Sequence, residues 1–441
     1  MLPAQTRPLF RLAWPILLSN CTIPLLGLVD TAVLGHLPDG RYLAAVALGA
    51  VVFSFLYWGF GFLRMGTTGL VAQAWGRQDQ AALGRLILQA LGLAFLLGLT
   101  LQLLRPLVPW LLTLLDGEPE TRLLAAEYIS IRLWSAPAVL MQYVVLGVAI
   151  GLGRSRVVLA LLILANGINI LLDLWFVLEL GMTSNGVALA SLLAEWAAAV
   201  AGLFWLLRTC RQLGIPLQRP TADAAALKRL IQVNSDLFVR TLALLLALAF
   251  FTRQGAQQGN EVLAANAVLM QLVMLSSYLL DGFAQAVEAR FGAAFARSHQ
   301  EAVQVFRAGL FLSVVTALLL TLLVWLGGAW LIHRLTDLPE VRQVAENHLP
   351  WLWLILPVSL WCYLFDGVFI GATWTDAMRN TLLLSLAGYL LAWWLLQDWG
   401  NHGLWAALLV FNALRGLTLA WVFRKRFHAT TPDTPPPHHN C

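Results

Sequence analysis

The sequence predicts an all-α integral membrane protein, with twelve transmembrane helices arranged as two pseudo-symmetric six-helix bundles. Three observations carry that prediction. The 441 residues are 59% hydrophobic and only 12% charged, with a mean hydropathy of +0.75. Arginines and lysines collect on one side of alternating apolar segments, and the second half repeats landmarks of the first about 220 positions later. Soluble domains carry roughly 25% charged residues, so a soluble class is excluded. The surplus charge of +5 is scattered among loops, which suits membrane topology and gives no reason to expect a nucleic-acid partner.

A bilayer-spanning helix needs about 20 largely apolar residues. Such segments fall at 9–35, 43–70, 86–110, 123–147, 156–178 and 184–207, then at 230–252, 262–285, 304–327, 348–371, 380–397 and 402–423. Turn-forming stretches separate them, among them HLPDG, LDGEPE, ELGMTSNG, TRQGAQQGNE and QDWGNHG. The first segment contains Pro15 and Pro24, lacks a convincing cleavage site and is too long for a signal core, so no cleaved leader is expected. Cys21, Cys210, Cys362 and Cys441 are dispersed and predict no disulfide framework.

With the N-terminus in the cytoplasm, twelve spans leave 18 basic residues in inner segments and 5 in outer ones, and the remaining 5 of 28 lie in or near spans. Positive residues are retained on the cytoplasmic side, so both termini are expected inside. Leu43-Ala44-Ala45 recurs as Leu263-Ala264-Ala265, and Pro137, Gly147, Ile150 and Gly151 recur as Pro357, Gly367, Ile370 and Gly371. Gly186 and Gly403 open comparable spans. Because six is even, both halves enter from the same side, and their pseudo-twofold should run along the membrane normal. The expected division is an N-terminal lobe at 1–207, a basic cytoplasmic link at 208–229, a C-terminal lobe at 230–427 and a disordered Pro-rich tail at 428–441.

Charged and amide side chains inside the spans are the candidates for chemistry, since a carboxylate in hydrocarbon must face a protein interior, pair or carry a proton. Asp30 lies late in the first span. Asn166, Asn169 and Asp173 lie toward the end of the fifth, and Ser191 two turns into the returning sixth, so all reach comparable depth at 1.5 Å per residue. Asn169 and Asp173 share a helix face through i,i+4 spacing. Two carboxylates in a partly dehydrated cavity disfavour simultaneous ionisation, so a proton, a sodium ion or a cationic substrate would compete for the same charge. The structural alternative is that these groups only bond helices together. Glu195, one turn beyond Ser191, is a reserve member of this polar cavity. Arg64, well inside the second span, is read either as the neutralising partner of an acid at a gate or as a snorkelling arginine. Pro15 and Pro24 would bend or interrupt the first helix and couple protonation to a gate, or form static kinks. The spacing of Asp236 and Arg240 predicts that they pair with each other. Trp58, Trp134 and Trp361 are candidates to line an aromatic cavity. No phosphate-binding loop, metal-ligand cluster or nucleophile triad is present, so neither an ATPase subunit nor a resident metal is implied.

The stretches VDTAVLGHL, FLRMGTTGLVAQAWG and LILANGINILLDLWFVLELGMTSNGVALAS together resemble the multidrug and toxic compound extrusion (MATE) family, and within it the DinF-like branch. The resemblance runs to about Phe427. It implies the family's fold of two six-helix lobes, alternating access and cation-coupled export of varied compounds without covalent catalysis. It maps the central coupling acid onto Asp30, the fifth-helix Asn-x-x-x-Asp pattern onto Asn169 and Asp173, and a sixth-helix position often held by threonine onto Ser191. The implied coupling ion is a proton, with sodium at Asp30, Asn169 and Asp173 as the alternative. Amphipathic cations and membrane lipid are the expected partners. The implied location is a bacterial inner membrane, a monomer is expected, and no organic cofactor is. The rival from another class is a flippase for lipid-linked precursors, and a nontransport scaffold ranks behind both.

Overall fold

The computed structural model describes residues 3–35, 39–113, 118–217 and 224–429, with the side chains of 21, 23–32, 35 and 111 outside the described set. Every regular element among the described residues is helical. The long helices, in chain order, are α1 (Thr6–Gly35), α2 (Gly40–Gly76), α3 (Gln80–Trp110), α4 (Pro119–Gly151), α5 (Ser155–Glu179) and α6 (Ser184–Leu213). They are followed by α7 (Ala224–Gln257), α8 (Asn260–Phe295), α9 (His299–Leu335), α10 (Pro350–Gly371), α11 (Thr375–Trp399) and α12 (Asn401–Ala429). Eleven of these, all but α1, are long and apolar enough to cross a membrane among the described residues, and α1 adds a further helix of 30 residues. The expected twelve spans are there.

Local chemistry sets the ends of these helices. Asp39 caps α2 by accepting from the Arg41 backbone N–H at 2.9 Å, and Asp79 caps α3 through the Ala82 N–H at 2.9 Å. Ser298 does the same for α9 through Glu301 N–H at 3.1 Å. Each satisfies a donor that the first turn of a helix leaves without a partner. Gly214 closes α6 in the left-handed region at φ 67°, which glycine adopts without penalty. Leucines and tryptophans such as Leu103, Leu323, Trp394 and Trp421 are exposed on helix faces. Apolar exposure on this scale suits a lipid solvent.

The chain packs as two compact units, one of Trp14–Asn234 and one of Met1–Ala13 with Ser235–Cys441. The change of unit falls inside α1 and inside α7, at starting residues Trp14 and Ser235. Residues 3–13, expected in the N-terminal lobe, therefore belong with the C-terminal helices, where Phe10 meets Phe283 at a ring separation of 6.4 Å. Of the expected link, 208–213 and 224–229 are helical, because its basic side chains extend from helix ends in an alanine- and leucine-rich run that favours helix. The tail at 430–441 lies outside the described residues.

The sequence repeat is one helix contact used twice. In the N-terminal unit a Cβ added at Gly147 would sit 2.7 Å from Arg64 O, and one at Gly151 2.9 Å from Thr68 O, so α4 lies directly on the backbone of α2. In the C-terminal unit the corresponding distances are 2.3 Å from Gly367 to Ala284 O and 2.5 Å from Gly371 to Glu288 O, which places α10 on α8. Arg64 and Ala284, like Thr68 and Glu288, are themselves 220 positions apart. Helices in lipid gain little from apolar burial against each other, and small residues that let backbones approach supply the van der Waals contact instead.

Gly367→Ala is expected to cost about 1–3 kcal/mol, since the atom it meets is backbone and cannot swing aside. Gly327→Ala, which meets nothing within 4 Å on α9, serves as the control and should not destabilise, with a gain of up to about 1 kcal/mol from helix propensity. Thermal unfolding of the purified variants checks both outcomes.

Candidate functional site

Helix α5 brings Asn169 and Asp173 to one face, and α6 returns beside it carrying Ser191. All three are buried, with Asp173 at 0% exposure. The Asn169 amide nitrogen and oxygen satisfy all their neighbours in one orientation. Its NH2 then donates to Asp173 Oδ2 at 3.0 Å, while its oxygen accepts from the Ser191 hydroxyl at 3.1 Å and the Ser191 backbone N–H at 3.2 Å. A carboxylate on one helix is thus tied through an amide to a hydroxyl on the next, in the interior of the N-terminal unit. A π-helical turn, Leu174–Glu179, begins immediately after Asp173. Such turns widen a helix locally and recur at functional sites.

The remaining candidates fall into place around this cluster or away from it. Asp30 lies on α1, but its side chain, like that of Pro24, is outside the described residues. Asn166 is half-buried on α5, one turn before Asn169. Pro15 is buried, and α1 is helical throughout Thr6–Gly35, so neither proline interrupts it. Arg64 is half-buried at the α2–α4 contact, where its backbone oxygen accepts from Thr68 Oγ1 at 2.9 Å. Glu195 does not join the Asn169–Asp173–Ser191 cluster through any hydrogen bond seen among the described residues. It forms an ion pair with Arg132 of α4 at 2.5 Å. The reason is proximity: Arg132 reaches it across the α4–α6 interface and offers a charge, where Ser191 offers only a hydroxyl.

Arg132 was not among the sequence candidates, although an arginine inside the apolar run ISIRLWSAP was the signal for it. The aromatic groups around it are Phe53 and Tyr128. Trp58, Trp134 and Trp361, the tryptophans nominated by sequence for an aromatic cavity, are all exposed.

The C-terminal unit handles its charges differently. Asp236 and Arg240 do not pair with each other as their spacing suggested. Asp236 accepts from Thr375 Oγ1 at 3.0 Å and pairs with Arg379 at 2.5 Å, both on α11. Arg240 pairs instead with Asp366 of α10, which also receives Arg415 of α12 at 3.2 Å. An i,i+4 pair is worth about 0.2–0.5 kcal/mol, whereas hydrogen bonds to buried charges contribute about 1.5–3 kcal/mol, so partners across the helix interface prevail. Asp281, another acid of this unit, accepts from Gln285 at 2.6 Å. Two guanidiniums, which do not deprotonate in proteins, already occupy the space around Asp366 that an exchangeable cation would take.

A helical membrane protein of duplicated halves, with a buried carboxylate–amide–hydroxyl cluster in one of them, has the architecture of a secondary transporter. A family model described as MatE matches residues 15–175 and 239–394. DNA damage-inducible protein F of Escherichia coli (strain K12) is 42% identical over 433 residues, covering 98% of this chain and 94% of that protein. A probable multidrug resistance protein NorM of Xylella fastidiosa (strain Temecula1) is 25% identical over 452 residues, covering 96% of this chain and 92% of its own. Among solved structures, an outward-facing conformation of a multidrug resistance MATE family transporter superposes with a TM-score of 0.87 at 20% identity, covering 96% of each chain. A MATE structure in a bent conformation also gives 0.87 at 20% identity, covering 96% of this chain and 95% of the other. The chain belongs to the MATE family and is closely related to DNA damage-inducible protein F. It is a multi-pass membrane transporter and not an enzyme, and family membership implies that transport is ion-coupled.

Asp366→Asn would leave two buried guanidiniums without their counter-ion and is expected to destabilise by about 3–5 kcal/mol. Asp173→Asn, isosteric and facing an amide, should change stability far less. Melting temperatures of the two purified variants in the same detergent test the contrast.

Proposed function

We propose that this transporter exports amphipathic organic cations in exchange for protons, with Asp173 and Asp30 as the acids that carry the coupling charge and Asn169 and Ser191 as their supporting oxygens and donors. The observation that carries this reading is the complete burial of Asp173 against the neutral amide of Asn169, which donates to its Oδ2 at 3.0 Å. Exchange requires a carboxylate whose counter-charge can leave, and Asp366, clamped by Arg240 and Arg415, is unsuited to it. The first-span position of Asp30 and the family resemblance support its inclusion.

Coupling follows from differential binding. A proton on the Asp30–Asp173 pair removes the charge that would hold a cationic compound, so the two compete and each favours a different helix arrangement. An inward proton gradient supplies the work, and membrane potential adds about 2.3 kcal/mol per net charge per 100 mV. The basic residues, 18 against 5, support a bacterial inner-membrane orientation with both termini cytoplasmic.

Sodium held by oxygens of Asp173, Asn169 and Ser191 is the alternative coupling ion, and the Asn169 amide would then present its oxygen to the ion.

In proteoliposomes with an internal pH-sensitive dye, substrate-dependent proton movement with ethidium is expected for the wild type and lost in Asp30→Asn and Asp173→Asn. Flux that demands sodium and moves no protons would reassign the coupling ion. Absence of ethidium flux under either gradient, with folded protein, would sink the drug-export reading and direct attention to lipid-linked substrates. Ser191→Ala, which removes one hydroxyl donor to Asn169, is expected to retain coupled flux at a reduced rate. A variant indistinguishable from wild type would remove Ser191 from the site.

A further inference from the structure

The Arg132–Glu195 pair is used by nothing in the mechanism above. It rests inside the N-terminal unit, with side-chain exposures of 13% and 20%. The guanidinium carbon of Arg132 lies 4.7 Å from the centre of the Phe53 ring and 5.8 Å from that of Tyr128, and its NH1 donates to the Tyr128 hydroxyl at 3.1 Å. A planar, delocalised cation stacked on aromatic faces and neutralised by one carboxylate is the arrangement by which proteins hold organic cations.

The pair is also incompletely satisfied. Arg132 Nε and Glu195 Oε2 are buried and make no hydrogen bond among the described residues. Taking two charges out of water costs several kcal/mol per ion, and their attraction offsets this only when the remaining donors and acceptors are also bonded. An ion pair kept purely for stability has no use for that deficit. The aromatic walls, in contrast, are built to shape. A Cβ at Gly49 would run into the Tyr128 ring, so the glycine on α2 is what leaves that ring room to stand edge-on to Phe53, with ring centres 6.4 Å apart and planes at 72°.

We infer that Phe53, Tyr128 and Glu195 form a recognition site for planar organic cations, and that the Arg132 guanidinium is its tethered occupant, displaced when substrate binds. This rests on the reading of the protein as a cation exporter and names the residues that would receive the cation. Glu195 is one helical turn from Ser191, roughly 5–6 Å between Cβ atoms, and Ser191 bonds Asn169 beside Asp173. A cation arriving at Glu195 thus enters the electrostatic reach of the proposed coupling acids. Displaced Arg132 would carry its own charge elsewhere.

The test is equilibrium binding of ethidium to purified full-length protein in detergent, read by fluorescence anisotropy with no ion gradient present. Arg132→Ala removes the tethered competitor and is expected to tighten binding about tenfold, while Glu195→Gln removes the counter-charge and weakens it about tenfold. Phe53→Leu should also weaken binding. Arg132→Lys keeps the charge and loses the planar stack, so it should shift affinity in the same direction as Arg132→Ala even if the alanine variant folds poorly. Equal weakening by the Arg132 and Glu195 variants, restored in the Arg132→Gln/Glu195→Gln double variant, would make the pair a structural brace and overturn the inference. So would an absence of ethidium binding by both the wild type and Arg132→Lys. Opposed signs at Arg132 and Glu195 without gradient-driven flux would then count against the antiport reading alone, and intact flux with matched signs against this site alone.

Discussion

Charge inside hydrocarbon has to be settled within the protein, and the arrangement of this chain follows from how each buried charge is settled. Backbone groups are closed off by helices capped at residues such as Asp39, Asp79 and Ser298. Side-chain charges are treated in three ways. Asp366 and Asp236 are bound by arginines across helix interfaces, Asp173 is held by an amide, and Glu195 faces a guanidinium that is itself stacked on aromatic rings. These are different degrees of commitment. The arginine-clamped acids are fixed to partners that cannot be released as ions, whereas Asp173 is held by the neutral amide of Asn169.

Much of the fold was legible because membranes make sequence simple to read. Twelve apolar segments became twelve long helices, and the matches at Gly147, Gly151, Gly367 and Gly371 proved to be docking positions and not chance coincidences of common residues. The association of Asn169, Asp173 and Ser191 was legible for a similar reason: i,i+4 spacing fixes a face, and rise per residue fixes depth. Partner choice was not legible. Asp236 and Arg240 share a face by the same arithmetic, yet each is taken by a residue more than 100 positions distant. Spacing along one helix says which side chains are neighbours, while the adjoining helices decide which neighbour prevails. Glu195 and Arg132, 63 positions apart, illustrate the same limit.

The boundary between units shows another thing that sequence segmentation does not supply. A linear reading places domain ends in loops, where polar and basic residues gather. Here the packing units change within α1 and within α7, so two continuous helices begin in one unit and finish in the other. Helical hydrogen bonding is indifferent to which unit a turn packs against, and apolar periodicity therefore carries no mark at those positions.

The duplicated glycine contact has a consequence for how the two halves came to differ. At the matched positions the partners of the glycines are Arg64 and Thr68 on α2, but Ala284 and Glu288 on α8. In each case a main-chain oxygen lies against the glycine, joined on α2 by the side chains of Thr67 and Val71 and on α8 by further main-chain atoms. The docking surface thus takes only main-chain oxygens from Arg64, Thr68, Ala284 and Glu288, and does not depend on which side chains those four positions carry. Duplicated halves joined in this way can diverge in charge without losing their architecture. That freedom permits the halves to settle their acids differently, with Asp366 and Asp236 locked to arginines in one and Asp173 held by an amide in the other.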